Sequence, residues 1–331
     1  MKKLLLCGID VGSKELVVAV DPGTGRIWDG TFPNDAAGHR KLIRRLTRTK
    51  ALAHVCVEAT GIYHLDLCLA LEQAKEIEVM VANPRATRDF ARSQLRRSKT
   101  DRTDARSLLE FVRRMEFDSW VPPKPSILAL RALSRRIQAL LVTRAQEKNR
   151  LHADASVDVT PPAIRESIER HIDALNAEIG ALTQSALEVV RVDDRLDQRF
   201  QHLVSVKGIA QASAITLLAE LSVLPADMSP RQWVAHAGID PRHYESGTSV
   251  RGAVRISKVG NRHLRAALFL PAMVASQYEP RVRAYYEKLL AKGKKPMQAL
   301  VAVMRKLLHA IHGMFQHDAD FDGTKFFAER A

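Results

Sequence analysis

KLLLCGIDVGSKELVVAVDPGTGRIWDGTF, residues 3–32, contains three short apolar, β-branched runs at 3–9, 15–20 and 25–32, with Asp21, Pro22, Gly23 and Gly25 between the last two. Runs of that length separated by turn residues predict an antiparallel meander of three strands. A basic amphipathic segment follows at about 38–48, then a strand at 54–59 (HVCVEA), a helix near 62–74, a strand at 77–82 (IEVMVA) and helical segments to about Met115. The resulting order, βββαβαβα, predicts a mixed sheet covered by helices.

That order is the one found in ribonuclease H-like folds, so the expected fold class is α/β at the front followed by mostly α. DSWVPPKPS, 118–126, marks the boundary, because Pro122, Pro123 and Pro125 cannot continue a helix. Residues 126–152 place Leu130, Leu133, Ile137, Leu140 and Leu141 at helical spacing without glycine or proline. After a break at Pro161 and Pro162, residues 163–190 repeat apolar positions every three or four residues. The two segments predict an antiparallel helical pair or coiled-coil arm, serving as a spacer or a dimer contact. From Phe200 to Leu224 a Lys207-Gly208 turn between two apolar helices resembles a helix-hairpin-helix. Lys207 and Ala210 stand where the phosphate-binding form has proline and a second glycine, which leaves phosphate binding and simple packing both open. Further helices are expected near 261–276, 280–292 and 296–315. The division read from this pattern is a domain of ribonuclease H-like order at 1–117, a linker and helical arm at 118–198, and a C-terminal domain at 199–331.

At 331 residues with 46% apolar content, the chain is long enough for more than one core. Lysine and arginine exceed aspartate and glutamate by 51 to 37, a net charge of +14, which favours a polyanionic partner, nucleic acid first. Cys7, Cys56 and Cys68 form no CxxC pair and read as reduced core thiols rather than a disulfide framework or a zinc site. MKKLLLCGID imitates a secretory signal, but its apolar run stops at Asp10 and leads into Lys14 and Glu15. It reads as a first strand. No stretch approaches the roughly 18 apolar residues of a membrane span, so a cytoplasmic protein without a membrane partner is expected.

Carboxylates stand at the positions where such a fold gathers them. Asp10 closes the first strand in GIDVGSK, Glu58 closes the fourth in CVEATG, and Asp101 and Asp104 in KTDRTDAR share one helix face at spacing i, i+3. The first and fourth strands are neighbours in the ribonuclease H-like topology, so all four acids are expected to converge beside that helix. Such a cluster repels itself unless cations neutralise it, and hard oxygen donors suit Mg²⁺, with Mn²⁺ as the alternative. Two such ions about 4 Å apart would clamp the attacking and leaving oxygens of a phosphoryl transfer. Residues 85–106 add eight arginines or lysines against three acids, among them Arg85, Arg88, Arg92, Arg96, Arg97 and Lys99. Cations beside an acidic site are what holding a phosphate backbone requires. Taken singly, each acid reads more simply as ending a strand or capping a helix, and it is the set that points to a site.

A second stretch, YESGTSVRGAVRISKVGN at 244–261, combines serines, glycines and cations. It is either a solvated loop or a segment built to approach an anion closely. Together, GIDVGSKEL (8–16), VEATGIY (57–63), KTDRTDAR (99–106) and GIDPRHYESGTSVRGAVRISKVGNRHLRAAL (238–268) resemble, in order and spacing, the DEDD transposases of insertion sequences. That family includes the Piv-type DNA invertases and the bridge-RNA-guided recombinases, and the similarity covers roughly 4–116 and 199–310. The resemblance implies that Asp10, Glu58, Asp101 and Asp104 bind metal ions and that a serine in the second stretch attacks DNA. By motif position that serine is Ser246; Ser249 is its rival and Ser257 a distant third, and residue chemistry alone does not rank them. Arg242, Arg251, Arg255 and Lys258 are the cations expected to hold backbone phosphates around it. His243 reads as a surface or backbone-binding residue, and no Ser-His-Asp triad is legible. The resemblance further implies double-stranded donor and target DNA, a noncoding bridge RNA as guide, and a dimer or tetramer with a composite site.

Two other functions fit the same residues. In a RuvC-like junction nuclease the acids would activate water while the serine stretch only binds DNA. In a noncatalytic nucleic-acid-binding scaffold the acids would satisfy local structure.

Overall fold

A computed structural model describes residues 4–59, 61–94, 100–156, 159–242, 245–246, 250–252 and 254–328, in two compact units, Met1–Pro122 and Pro123–Ala331. In the first unit β1 (Leu5–Val11), β2 (Glu15–Asp21) and β3 (Trp28–Pro33) form the expected meander. They are followed by α1 (Ala36–Thr47), β4 (Ala53–Glu58), α2 (Leu65–Glu72), β5 (Ile77–Ala82), α3 (Pro84–Ser93) and α4 (Asp101–Arg114). The sheet order is β3-β2-β1-β4-β5, with β1/β2 and β2/β3 antiparallel and β1/β4 and β4/β5 parallel. This is the mixed sheet anticipated from the order of elements.

Strand alternation explains why both faces are covered. Cys7, Ile9, Val55 and Val57 point to one face and pack with Leu42 and Leu46 of α1 and Leu67 and Leu71 of α2. Cys56, Ala19 and Met80 point to the other and meet Ala105, Leu108, Leu109 and Val112 of α4. All three cysteines are buried and unbridged, as the sequence suggested, and burial pushes the Cys56 and Cys68 thiols up to about 12.

The second unit is helical: α5 (Pro125–Asp154), α6 (Pro162–Val192), α7 (Asp194–Ser205), α8 (Gln211–Leu221) and α9 (Pro230–Ala237). Two short ladders come next, β6 (Pro241–Arg242) with β9 (Arg255–Ile256) and β7 (Glu245–Ser246) with β8 (Val250–Arg251). They lead into α10 (Arg262–Tyr278), α11 (Pro280–Ala291) and α12 (Pro296–His317). Leu130 and Ile137 from the first half of α5 and Leu187 and Val190 from the end of α6 join Leu203, Leu217, Trp233, Leu268 and Leu307 in one core. The helical pair therefore grows out of the C-terminal core. Asp193 secures its base, ending α6, capping α7 through Leu196 N at 3.3 Å, and accepting from Ser126 Oγ at 2.9 Å.

One detail differs from the sequence expectation. Helix α9 was not foreseen, although Ser229 and Gln232 form a capping box around Pro230 and Gly238 closes the helix in the left-handed region. Its apolar content is too small for periodicity to reveal it. At the hairpin between α7 and α8, Gly208 lies against the Pro271 carbonyl and Ala275 nitrogen of α10, so that turn packs into the fold. Among the described residues no helix is long and apolar enough to cross a membrane.

Candidate active site

Strands β1 and β4 pair in parallel with Ile9 opposite Val57, so Asp10 and Glu58 stand at the same C-terminal end of the two central strands. Gly8 sets how near α4 can lie: an added β-carbon there would stand 2.3 Å from the Ala105 carbonyl oxygen. With no side chain intervening, α4 rests backbone on backbone against β1. The first turn of α4 then carries Asp101 and Asp104 into electrostatic range of Asp10. Thr100 fixes where that turn begins, its Oγ1 accepting from Thr103 N at 3.2 Å while its own N–H donates to Thr103 Oγ1 at 2.8 Å.

The electrostatic consequence falls on Asp10. Burial raises its carboxyl pKa, and the charges of Asp104, Asp101 and Glu58 raise it further, to about 6. Thr87, buried on α3, donates to Glu58 Oε2 at 2.7 Å and so orients that carboxylate. Asn34 ties together the loops that follow β1 and β4, its Nδ2 donating to the carbonyls of Gly12 at 2.8 Å and Tyr63 at 3.2 Å. An open hollow of about 430 Å³ lies beside Asp10 and Asp101 and is walled by Gly12, Ser13 and Val17.

Among the described residues no three His, Cys, Asp or Glu side chains are arranged to hold one metal ion. The four acids share one electrostatic neighbourhood without closing into a ligand cage. In donor type and charge they fit a hard divalent cation: every donor is an oxygen, and a bound cation would relieve the repulsion that raises Asp10.

The cations divide into two groups. Arg102 and Arg106 turn back onto Asp29 of β3, with Arg106 Nη2 at 2.7 Å and Arg102 Nε at 2.9 Å, and they brace α4 against the sheet. The Arg106 hydrogen bond, outweighing burial and aided by Arg102, holds the Asp29 carboxyl below its usual range. On α3, Arg85, Arg88 and Arg92 are exposed, and Arg85 reaches Asp89 at 3.5 Å. Arg96, Arg97 and Lys99 lie outside the described residues.

In the second unit Ser246 lies opposite Val250 and Glu245 opposite Arg251, which places Ser246 at the last described rung of that ladder. His243, Tyr244 and Ser249 lie outside the described residues. Three residues stand between Arg242 and Ser246, four steps along the chain and at most about 14 Å fully extended. Arg242, Arg255 and Lys258 are exposed, and among the described residues none of them is in an ion pair. Ser257 is committed to the root of the ladder, its Oγ donating to Asp240 Oδ1 at 2.6 Å and its N–H to the Asp240 carbonyl at 2.9 Å.

Beyond Ser257 the chain is held by a buried polar cluster that the sequence did not announce. Gly260, at φ +133°, lies so close to α9 that a β-carbon would stand 2.2 Å from the His236 carbonyl oxygen. Asn261 caps α10, its Oδ1 accepting from His263 N at 2.9 Å and Leu264 N at 3.1 Å, and its Nδ2 donates to Glu220 Oε2 at 2.7 Å. Glu220, fully buried on α8, also accepts from Arg135 Nε at 2.8 Å and faces Arg131 at 3.4 Å. Burial alone would raise its carboxyl pKa, but Arg135, Arg131 and Asn261 together hold it below the ordinary range.

Comparison with known proteins gives two family matches. Residues 7–154 match a family described as Transposase, the DEDD type of the IS110 group, and residues 200–287 match one described as Transposase IS116/IS110/IS902 family. A pilin gene-inverting protein of Moraxella bovis is 26% identical over 298 residues, covering 88% of this chain and 90% of the relative. The transposase for insertion sequence element IS1328 of Yersinia enterocolitica is 27% identical over 305 residues, covering 84% of this chain and 85% of the relative. A shorter similarity, 28% over 179 residues, links 53% of this chain to 40% of an uncharacterised insertion element IS110 protein of Streptomyces coelicolor.

Proposed function

This chain belongs to the DEDD transposases of the IS116/IS110/IS902 family, enzymes of DNA recombination, and from that premise we propose that it cuts and rejoins DNA through a phosphoserine intermediate on Ser246. The observation that carries the reading is the convergence of Glu58, Asp101 and Asp104 on Asp10 at the shared C-terminal end of β1 and β4, beneath the first turn of α4. In this reading Asp10, Glu58, Asp101 and Asp104 hold divalent metal, Mg²⁺ or Mn²⁺. When bound, the metal supplies Lewis-acid stabilisation of charge on the phosphoryl oxygens.

The chain's own residues account for the rest. Ser246 Oγ loses its proton and forms a bond to phosphorus, the bond from phosphorus to one strand oxygen breaks, and that oxygen takes up a proton. Rejoining runs the same exchange backwards with a strand hydroxyl as nucleophile, so the phosphodiester is conserved without ATP. Arg242, Arg251, Arg255 and Lys258 hold the flanking phosphates. Arg85, Arg88, Arg92, Arg96, Arg97 and Lys99 grip backbone beside the acids. A noncoding guide RNA pairs with donor and target DNA and supplies the choice of sequence, and a dimer or tetramer brings acids and serine together. The basic balance of the chain and its exposed arginines support these assignments.

The test is an incubation of protein, Mg²⁺, duplex DNA and candidate RNA, followed by denaturing electrophoresis. A covalent protein–DNA species is expected, lost in Ser246→Ala and retained in Ser249→Ala. Hydrolysed ends without an adduct would assign the acids to water activation instead.

A further inference from the structure

A cleft of about 910 Å³ opens at the root of the serine ladder, between β9, α10 and α12. Its apolar surface comes from Val254, Ile256, Phe269, Met297 and Val301, of which Val254 and Met297 are 46% and 58% exposed. Around that surface stand Arg255, Lys258, Arg262, Lys294 and Arg305, and among the described residues no acid lines the cleft. Among the described residues none of these five is in an ion pair, and the buried Nε of Arg305 has no hydrogen-bond partner.

An uncovered apolar floor inside a ring of unneutralised cations asks for a ligand that is flat and apolar in one part and anionic in another. A nucleotide has both parts, but a base stacked in a duplex cannot lay its face on the floor. Arg255 pairs in register with Arg242, and Ser246 lies at most about 14 Å of chain beyond Arg242. The cleft is thus within a few nucleotides of any phosphate the serine attacks. We propose that this cleft receives an unstacked base of the DNA strand being cut, against Phe269 and Met297, with its phosphates on Arg255, Lys258 and Arg262. The inference rests on the reading of Ser246 as nucleophile. It adds a device that peels the strand from its partner beside the cut, at a step where unpairing must occur before rejoining to new DNA.

The experiment measures binding without chemistry, using the full chain and fluorescent duplex DNA with a short single-stranded gap carrying either normal or abasic nucleotides. The protein should bind the base-bearing gap about five-fold or more tightly than the abasic gap, in keeping with one base–aromatic stack. Met297→Ala, at an exposed position, and Phe269→Ala should each lower that preference, whereas Arg262→Gln should weaken both probes alike. Equal binding of the two probes by the unaltered protein would overturn the proposal. So would a larger base preference on a gap made of RNA, or a change in oligomeric state as the only effect of Met297→Ala, which would assign the face to a second copy. Ser246→Ala should keep the base preference, so failure of the nucleophile assignment and failure of the cleft are read in separate assays.

Discussion

A β-carbon on Gly8 would stand 2.2 Å from the backbone nitrogen of Leu109, closer than any real side chain tolerates. The distance binds two consequences together: the sheet and α4 meet backbone to backbone at Gly8, and that close approach helps bring the acids of α4 to Asp10. Gly8→Ala should therefore destabilise the first unit by about 3 kcal/mol, the upper part of the usual cost of overpacking. Chemical denaturation measures the loss. Where folded protein survives, divalent-metal binding should fall with it, and unchanged metal affinity would separate the packing from the site.

The raised Asp10 carboxyl sets a pH dependence with a definite sign. Its folded pKa, about 6, lies above the ordinary 3.8, so its ionised form is disfavoured by folding. Without metal, this group should make the protein more stable as pH falls through 6, the gain ending near 3.8, and Asp10→Asn should flatten that part of the profile. Metal binding should run the opposite way, because a proton and a cation compete for the same oxygens. Affinity for Mn²⁺ should drop about tenfold per unit below pH 6. Thermal melts and titrations from pH 4.5 to 8 check both.

Thr87 holds Glu58 without being an acid or a cation. Thr87→Val removes the hydroxyl and keeps the shape, so the Glu58 carboxylate loses a fixed donor at 2.7 Å. Metal affinity or cleavage rate should fall about 10- to 100-fold with melting temperature little changed, and Thr87→Ser should restore most of it. A loss of fold in Thr87→Val with normal metal affinity would assign Thr87 to packing.

Glu220 is the buried counter-charge of Arg131 and Arg135. Glu220→Gln should cost about 3–5 kcal/mol because it leaves arginine charge inside the protein without an anion. Urea unfolding gives the value. Replacing Asn261 with Ala should cost less in stability, about 1 kcal/mol for the lost helix cap. It should still lower adduct formation, since the chain that follows the serine ladder loses its tie to α8.

The acids were legible because each announces itself locally. Asp10 and Glu58 end apolar runs, and Asp101 and Asp104 sit a helical turn apart beside a threonine cap. Gly8, Thr87 and Glu220 were not, because their roles are set by partners 29 to 101 residues away that no local pattern encodes. Arg102 and Arg106 show the same limit from the other side. They belong to a basic run that reads as a phosphate-gripping surface, yet their guanidinium groups are committed to Asp29 across 73 and 77 residues. Helix α9 escaped because capping chemistry, not apolar periodicity, defines it.

The helices α5 and α6 contribute to the C-terminal core only through α5 up to about Leu141 and α6 from about Ile179 onward. Past those points each helix has chiefly the other for company, and the stretch behaves as a ruler graduated at 1.5 Å per residue. Deleting seven residues from each helix in matched register should shorten the ruler by about 10 Å while the capped base at Asp193 keeps its form. The span of the protruding hairpin can thus be retuned over generations by whole turns, without renegotiating the core from which it grows.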